Sequence, residues 1–196
     1  MKSLADRFRQ WYEYERDCNA KSLEMLASVP AERRSDAEFQ KAVDRMAHLV
    51  AARRRWLHRL GHLREALGLF PPGTKLADLP VLVADTEAAW VAYLSRLDDR
   101  ELGRTLEWQV ADGRRYRWEV EGVLTQVFGH AWYHRGQIAQ LVAMLGARPS
   151  IRTISSGASW PRSIRRRREA EGLRRRRHAH SPGSTFRRQE SCGHRD

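Results

Sequence analysis

The sequence predicts an all-α protein: a four-helix bundle with a short β-hairpin before its last helix and a disordered, Arg-rich tail. Three observations lead there. Four long stretches repeat their apolar residues at helical spacing, one short stretch alternates with period two, and beyond Ser150 no period survives. In 196 residues, 41% of them hydrophobic, this pattern supplies one domain with its own core.

The first helix covers residues 3 to 28, where Leu4, Phe8, Trp11, Cys18, Met25 and Leu26 recur at spacings of three, four or their sums. "SVPAERRSDAEF" then offers Pro30 as a break and Ser35 or Asp36 as the N-cap of a second helix. That helix is expected from about 36 to 67, on the stripe Leu49, Ala52, Trp56, Leu60, Leu63 and Leu67. "GLFPPGTKLADLP" reads as a loop by its Gly and Pro content, and "VADTEAAWVAYLSRLDD" as the third helix. "RTLEWQV" and "RRYRWEV" alternate around Asp112-Gly113, the signature of a hairpin. From Glu119 the helical period returns through Leu124, Val127, Phe128, Ala131, Ile138, Leu141, Val142 and Leu145, and stops at Gly146 and Pro149. Residues 1–149 therefore form the bundle and residues 150–196 the tail.

Composition narrows the function classes. The formal charge is +12, but residues 151 to 196 hold 13 Arg against four acids, which leaves +3 for the first 150 residues. The basicity belongs to the tail. Two cysteines at opposite ends, Cys18 and Cys192, give no disulfide framework and point to reduced thiols. The N-terminus is charged in its first turns, and no apolar run reaches the roughly 18 residues a membrane span needs, so the expectation is a cytoplasmic, non-membrane protein.

Eight histidines carry the possible chemistry. In "HAWYHRGQIAQLVAMLG", His130 and His134 are four apart, about 40° around a helix, and fall within the apolar stripe. His48 borders the stripe of the second helix. An imidazole in a core stays neutral or finds a partner, so these three are either core histidines held by polar neighbours or the ligands of a divalent ion. Three neutral imidazoles around an ion with one open position is an arrangement that metal-assisted chemistry uses. His58 and His62 share the same spacing but align with Arg55 and Glu65, which makes a solvated face. His178, His180 and His194 lie in the tail and define no site.

Of three neighbours of the pair, Gln137 and Arg135 have two readings each and Gly136 has one. Gln137, about 20° off the face of His130, either orients an imidazole or bound water or is a capped core residue. Arg135 holds an anionic substrate or pairs with a carboxylate on the first helix such as Glu15. Gly136 in mid-helix costs roughly 1 kcal/mol relative to Ala, which suggests close approach of another helix.

The segment "HxxxHRGQI", with His48 eight residues before Trp56 and a hairpin leading into the last helix, resembles the DinB/YfiT-like superfamily over residues 1 to about 149. The resemblance implies a DinB-like four-helix bundle whose metal, commonly zinc or nickel, is held at the positions of His48, His130 and His134. It also implies a homodimer, and a metal-dependent enzyme of the thiol S-transferase or hydrolase kind acting on a small-molecule thiol or electrophile. The alternatives are a metal-binding bundle without turnover and a nucleic-acid-binding protein.

The nucleic-acid reading rests on the tail, where "RRRR" at 165–168 and 174–177 would neutralise phosphates. The tail also has another reading. Members of the superfamily continue past the last helix with a "D-Y-I-F-W" kind of stretch, which this chain lacks; its absence leaves Trp56 and the end of the fourth helix undercovered. One permitted codon choice for "PSIRTISSG", read two bases later, gives Val-Asp-Pro-Asp-Tyr-Ile-Phe-Trp. Residues from about 150 onward are thus expected to be out of frame.

Overall fold

The computed structural model describes residues 2–65, 68–110 and 112–148. Four long helices make up most of it: α1 (Leu4–Ala27), α2 (Ala37–Arg59), α3 (Leu79–Ser95) and, after a short helix α4 (Asp99–Leu102) and strands β1 (Thr105–Gln109) and β2 (Arg115–Glu119), helix α5 (Val120–Met144). The tail, with the expectations of disorder and of a shifted frame, lies outside the described residues. Among the described residues no helix is long and apolar enough to cross a membrane.

The ends of the helices follow local chemistry. Ser3 caps α1 in a reciprocal box: its hydroxyl accepts from the Asp6 amide at 3.1 Å, and the Asp6 carboxylate accepts from the Ser3 amide at 3.4 Å. Asp36 takes the N-cap position of α2. Helix α2 stops at Arg59 rather than near residue 67. Gly61 adopts a φ of 81°, its amide donates to the His58 carbonyl and the His62 amide to the Leu57 carbonyl, both at 2.9 Å, a glycine-terminated cap that overrides the apolar stripe beyond it. Leu67 lies outside the described residues. The same cap closes α5, where Gly146 (φ 83°) and Ala147 donate to Ala143 and Val142.

Helix α3 begins at Leu79, four residues before the expected start, because Pro80 sits in the first turn, where its missing amide hydrogen is no loss. It ends at Ser95, and the "LDD" assigned to it instead leads into α4, whose N-cap Asp98 accepts from the Glu101 amide. The hairpin is antiparallel, pairing Leu106 with Trp118 and Trp108 with Tyr116, with Gly113 at a φ of 85° in its turn. It covers Trp56: Trp108 sets its edge against that indole at 5.1 Å, and the Arg59 guanidinium lies over it at 4.7 Å. At the end of α5, Met144 is 62% exposed, while Val142, Leu145 and Ala147 are buried.

In the bundle α2 packs against α5 and α3, and α1 against the same two. The core divides into two apolar clusters. One gathers Met25, Leu26, Val43, Met46, Leu79, Ile138 and Val142; the other gathers Phe8, Tyr12, Leu57, Trp90, Leu94, Leu124 and Phe128. Glu15 and Asn19 on α1, Arg53 on α2 and Thr86 on α3 fall between the two clusters in sequence, while His48 on α2 and His134 and Arg135 on α5 lie among residues of the first. A polar layer crosses the middle of the core.

Candidate metal centre

Helices α2 and α5 position the three histidines. Each supplies one nitrogen, and the three atoms lie within 4.8 Å of one another. His48 is 7% and His134 8% exposed, while His130 is half-buried. The Nε2 atoms of His130 and His134 are 3.0 Å apart. Two imidazoles bound to one tetrahedral zinc at about 2.0–2.1 Å place their nitrogens about 3.3 Å apart, so this pair already has nearly the required spacing.

The outer nitrogens are fixed by neighbours. His48 Nδ1 donates to the Leu69 carbonyl at 2.8 Å. A carbonyl only accepts, so Nδ1 carries the proton and Nε2 keeps its lone pair free. His134 Nδ1 stands 2.8 Å from the Gln137 amide oxygen, with the same consequence. Burial, reinforced by the fields of His134, His48 and Arg53, lowers the pKa of His130 to about 4. Burial lowers that of His134 as well, and its bond to Gln137 only partly opposes the shift. Both rings are neutral at pH 7, the form that ligates metal. Two oriented tautomers and uncharged rings fit a divalent ion.

Arg135 points elsewhere. It is 2% exposed, and its two terminal nitrogens donate to Glu15 Oε1 at 2.9 Å and Oε2 at 2.8 Å, with a further bond to Asn19 at 2.7 Å. Of the two readings, the pair with Glu15 is the one the structure contains. Arg53 donates to the same carboxylate, and Trp132 Nε1 adds a bond at 2.9 Å. Burial alone would raise the Glu15 pKa; the two guanidiniums and the indole outweigh it and hold the carboxyl below its usual range. Gln137 contacts His134 through its amide oxygen.

Gly136 has no foreign atom within 4 Å of where a Cβ would stand, so among the described residues it marks no close helix approach. His58 is exposed, and His62 lies past the end of α2 against Tyr93, so they form no common helical face. Sequence reading missed Arg53, Leu69 and Phe70. Arg53 was within reach, four residues after Leu49 and four before Leu57 on the buried side. The other two belong to a segment whose approach to His48 nothing in the local sequence announces.

The fold and site define a class: a helical bundle with three histidines close enough together to hold a metal ion. Over residues 1–164 the chain matches the family model described as the DinB family, and it belongs to that family. Comparison with curated proteins and with solved structures gave no match.

Proposed function

We propose that the chain binds one divalent ion, zinc or nickel, at His48, His130 and His134, and acts as a metal-dependent enzyme on a small-molecule thiol or electrophile, S-transferase-like or hydrolase-like. The convergence of three imidazoles, two with their outer nitrogens already bonded, carries this reading. A bound ion supplies positive charge that favours the deprotonated form of a thiol or water at its remaining position.

The chain's own residues do the rest. Leu69 and Gln137 hold two rings in the ligating tautomer, and the Glu15 cluster ties α1 to the two ligand-bearing helices. A purely structural ion calls for a fourth protein ligand, whereas the group of close metal-ligating side chains among the described residues has three members. That favours an open site. The nucleic-acid reading depends on the tail, and a homodimer stands with it as a proposal.

Elemental analysis of the full-length protein, beside a His130→Ala, His134→Ala double variant, tests the centre. About one zinc or nickel per chain in the parent and none in the variant is the expected result. Equal, negligible metal in both after incubation with each ion would leave core histidines and no centre. Metal-dependent conjugation of a thiol to an electrophile tests the enzymatic part; absence of turnover across a broad panel, with metal bound, would leave the non-catalytic bundle.

A further inference from the structure

Each of the two buried ligands carries an exposed aromatic ring. Phe70 is 69% exposed and stacks flat on His48, with ring centres 4.6 Å apart and planes at 10°. Tyr133, 64% exposed, sets its ring at 69° to His134 at 5.1 Å. The two come from different elements, the segment after α2 and helix α5. The bond from His48 to Leu69 holds the first in place. Scattered surface hydrophobics are ordinary, but these two rest on neighbouring members of one candidate site.

The side-chain charges whose fields fall on His130 and His134 are cationic, Arg53 being itself paired with Glu15. Three imidazoles contribute no negative charge, and the fields of Arg53 and Arg45 fall on His130 and His134. A fourth donor at such a centre is favoured when it is anionic. Phe70 and Tyr133 are exposed aromatic surface resting on two of the histidines, on which a ring would gain stacking contact and apolar burial together.

We infer that Phe70 and Tyr133 are specificity-determining residues that select anionic donors, thiolates in particular, bearing an aromatic or extended apolar group over small polar ones. The inference rests on the metal-centre reading above and adds the class of ligand. It assigns the rings contact with the organic part of the ligand and no part in holding the ion.

The test loads the full-length protein with cobalt(II) and follows the sulfur-to-metal absorption as benzyl mercaptan or 2-mercaptoethanol is added. The expected result is one cobalt per chain and about tenfold tighter binding of benzyl mercaptan. Phe70→Ala and Tyr133→Ala each reduce that preference to below about threefold, Tyr133→Phe retains it, and cobalt content and 2-mercaptoethanol affinity stay as in the parent. Equal affinities for the two thiols in cobalt-loaded parent protein would overturn the inference while leaving the centre intact. Loss of cobalt in the Phe70→Ala protein would make the ring a cover for His48 and overturn its role in selection. Failure of the parent to bind cobalt would bring down the centre and the inference together.

Discussion

Glu15→Gln keeps the shape of the side chain and removes the one buried negative charge that two buried guanidiniums share. Glu15 is 1% exposed, Arg53 4% and Arg135 2%. Oε1 accepts from Trp132 and Arg135, and Oε2 from Arg135 and Arg53. Whichever oxygen becomes an amide nitrogen, two donors then face a donor. Removing one partner of a buried pair costs about 3–5 kcal/mol, a large part of the roughly 5–15 kcal/mol that holds a domain folded. For a domain of this size the loss lowers the thermal midpoint by about 6–20 °C, measured by circular dichroism at pH 7. Arg53→Met is the contrast. Nε and Nη1 of Arg53 find no acceptor among the described residues, and Glu15 keeps its two-pronged bond to Arg135. That change costs under about 1 kcal/mol or stabilises. The pH dependence has a definite sign: the folded-state pKa of Glu15 lies below its unfolded value, so its contribution is complete above about pH 4.3 and is lost as pH falls through the folded value. Glu15→Gln therefore flattens the acid limb. A midpoint shift under about 2 °C, or Arg53→Met costing as much as Glu15→Gln, would refute the reasoning.

Gln137→Leu removes the acceptor of His134 Nδ1 and is expected to weaken zinc binding about 10–100-fold in competition with a chelator, with the fold unchanged by circular dichroism. Gly129→Ala and Gly136→Ala each fill open space on α5 and should stabilise by about 0.5–1 kcal/mol in urea unfolding; a loss instead would show that another chain covers that face in solution. Zinc should raise the thermal midpoint of the parent in a concentration-dependent way and leave that of the His130→Ala, His134→Ala protein unmoved. Resequencing the gene decides the frame beyond residue 150. If the frame is intact, a chain ending at Pro149 should lose salt-sensitive DNA binding, and unchanged binding would remove the tail from any nucleic-acid role.

The helices, the hairpin and the pair His130 and His134 were legible because each is written in short-range spacing, while His48 joined the pair through the stripe of the second helix and the resemblance to the family. A period of 3.6 shows wherever one face is buried, and His130 and His134 reveal their common direction within four residues. The exact stops were less legible. Leu60 and Leu63 continue the stripe of α2, yet Gly61 ends the helix, since one left-handed residue satisfies the last carbonyls whatever the pattern beyond it promises. Pro80 misled in the other direction, reading as loop while starting a helix. Long-range partners were less legible. His48 meets Leu69 through a bend that nothing local announces, whereas the pairing of Arg135 with Glu15 across 120 positions was one of the two readings the sequence offered.

Burying Glu15, Arg53 and Arg135 in mid-core costs desolvation that a leucine layer would not, so their value lies in geometry rather than stability. An apolar bundle tolerates small slides of one helix along another, because leucine contacts look alike one turn up or down. A carboxylate on α1 gripped by a guanidinium on α5 and another on α2 does not tolerate such a slide. Arg53 sits five residues after His48, and Arg135 directly follows His134. The clamp that fixes the heights of α2 and α5 therefore also fixes the heights of the imidazoles they carry. The 3.0 Å approach of His130 and His134 is set within one helix, but the arrival of His48 beside them depends on register between helices. On this argument the polar layer and the triad form one arrangement, with Glu15 acting on the candidate centre through helix register and without touching it.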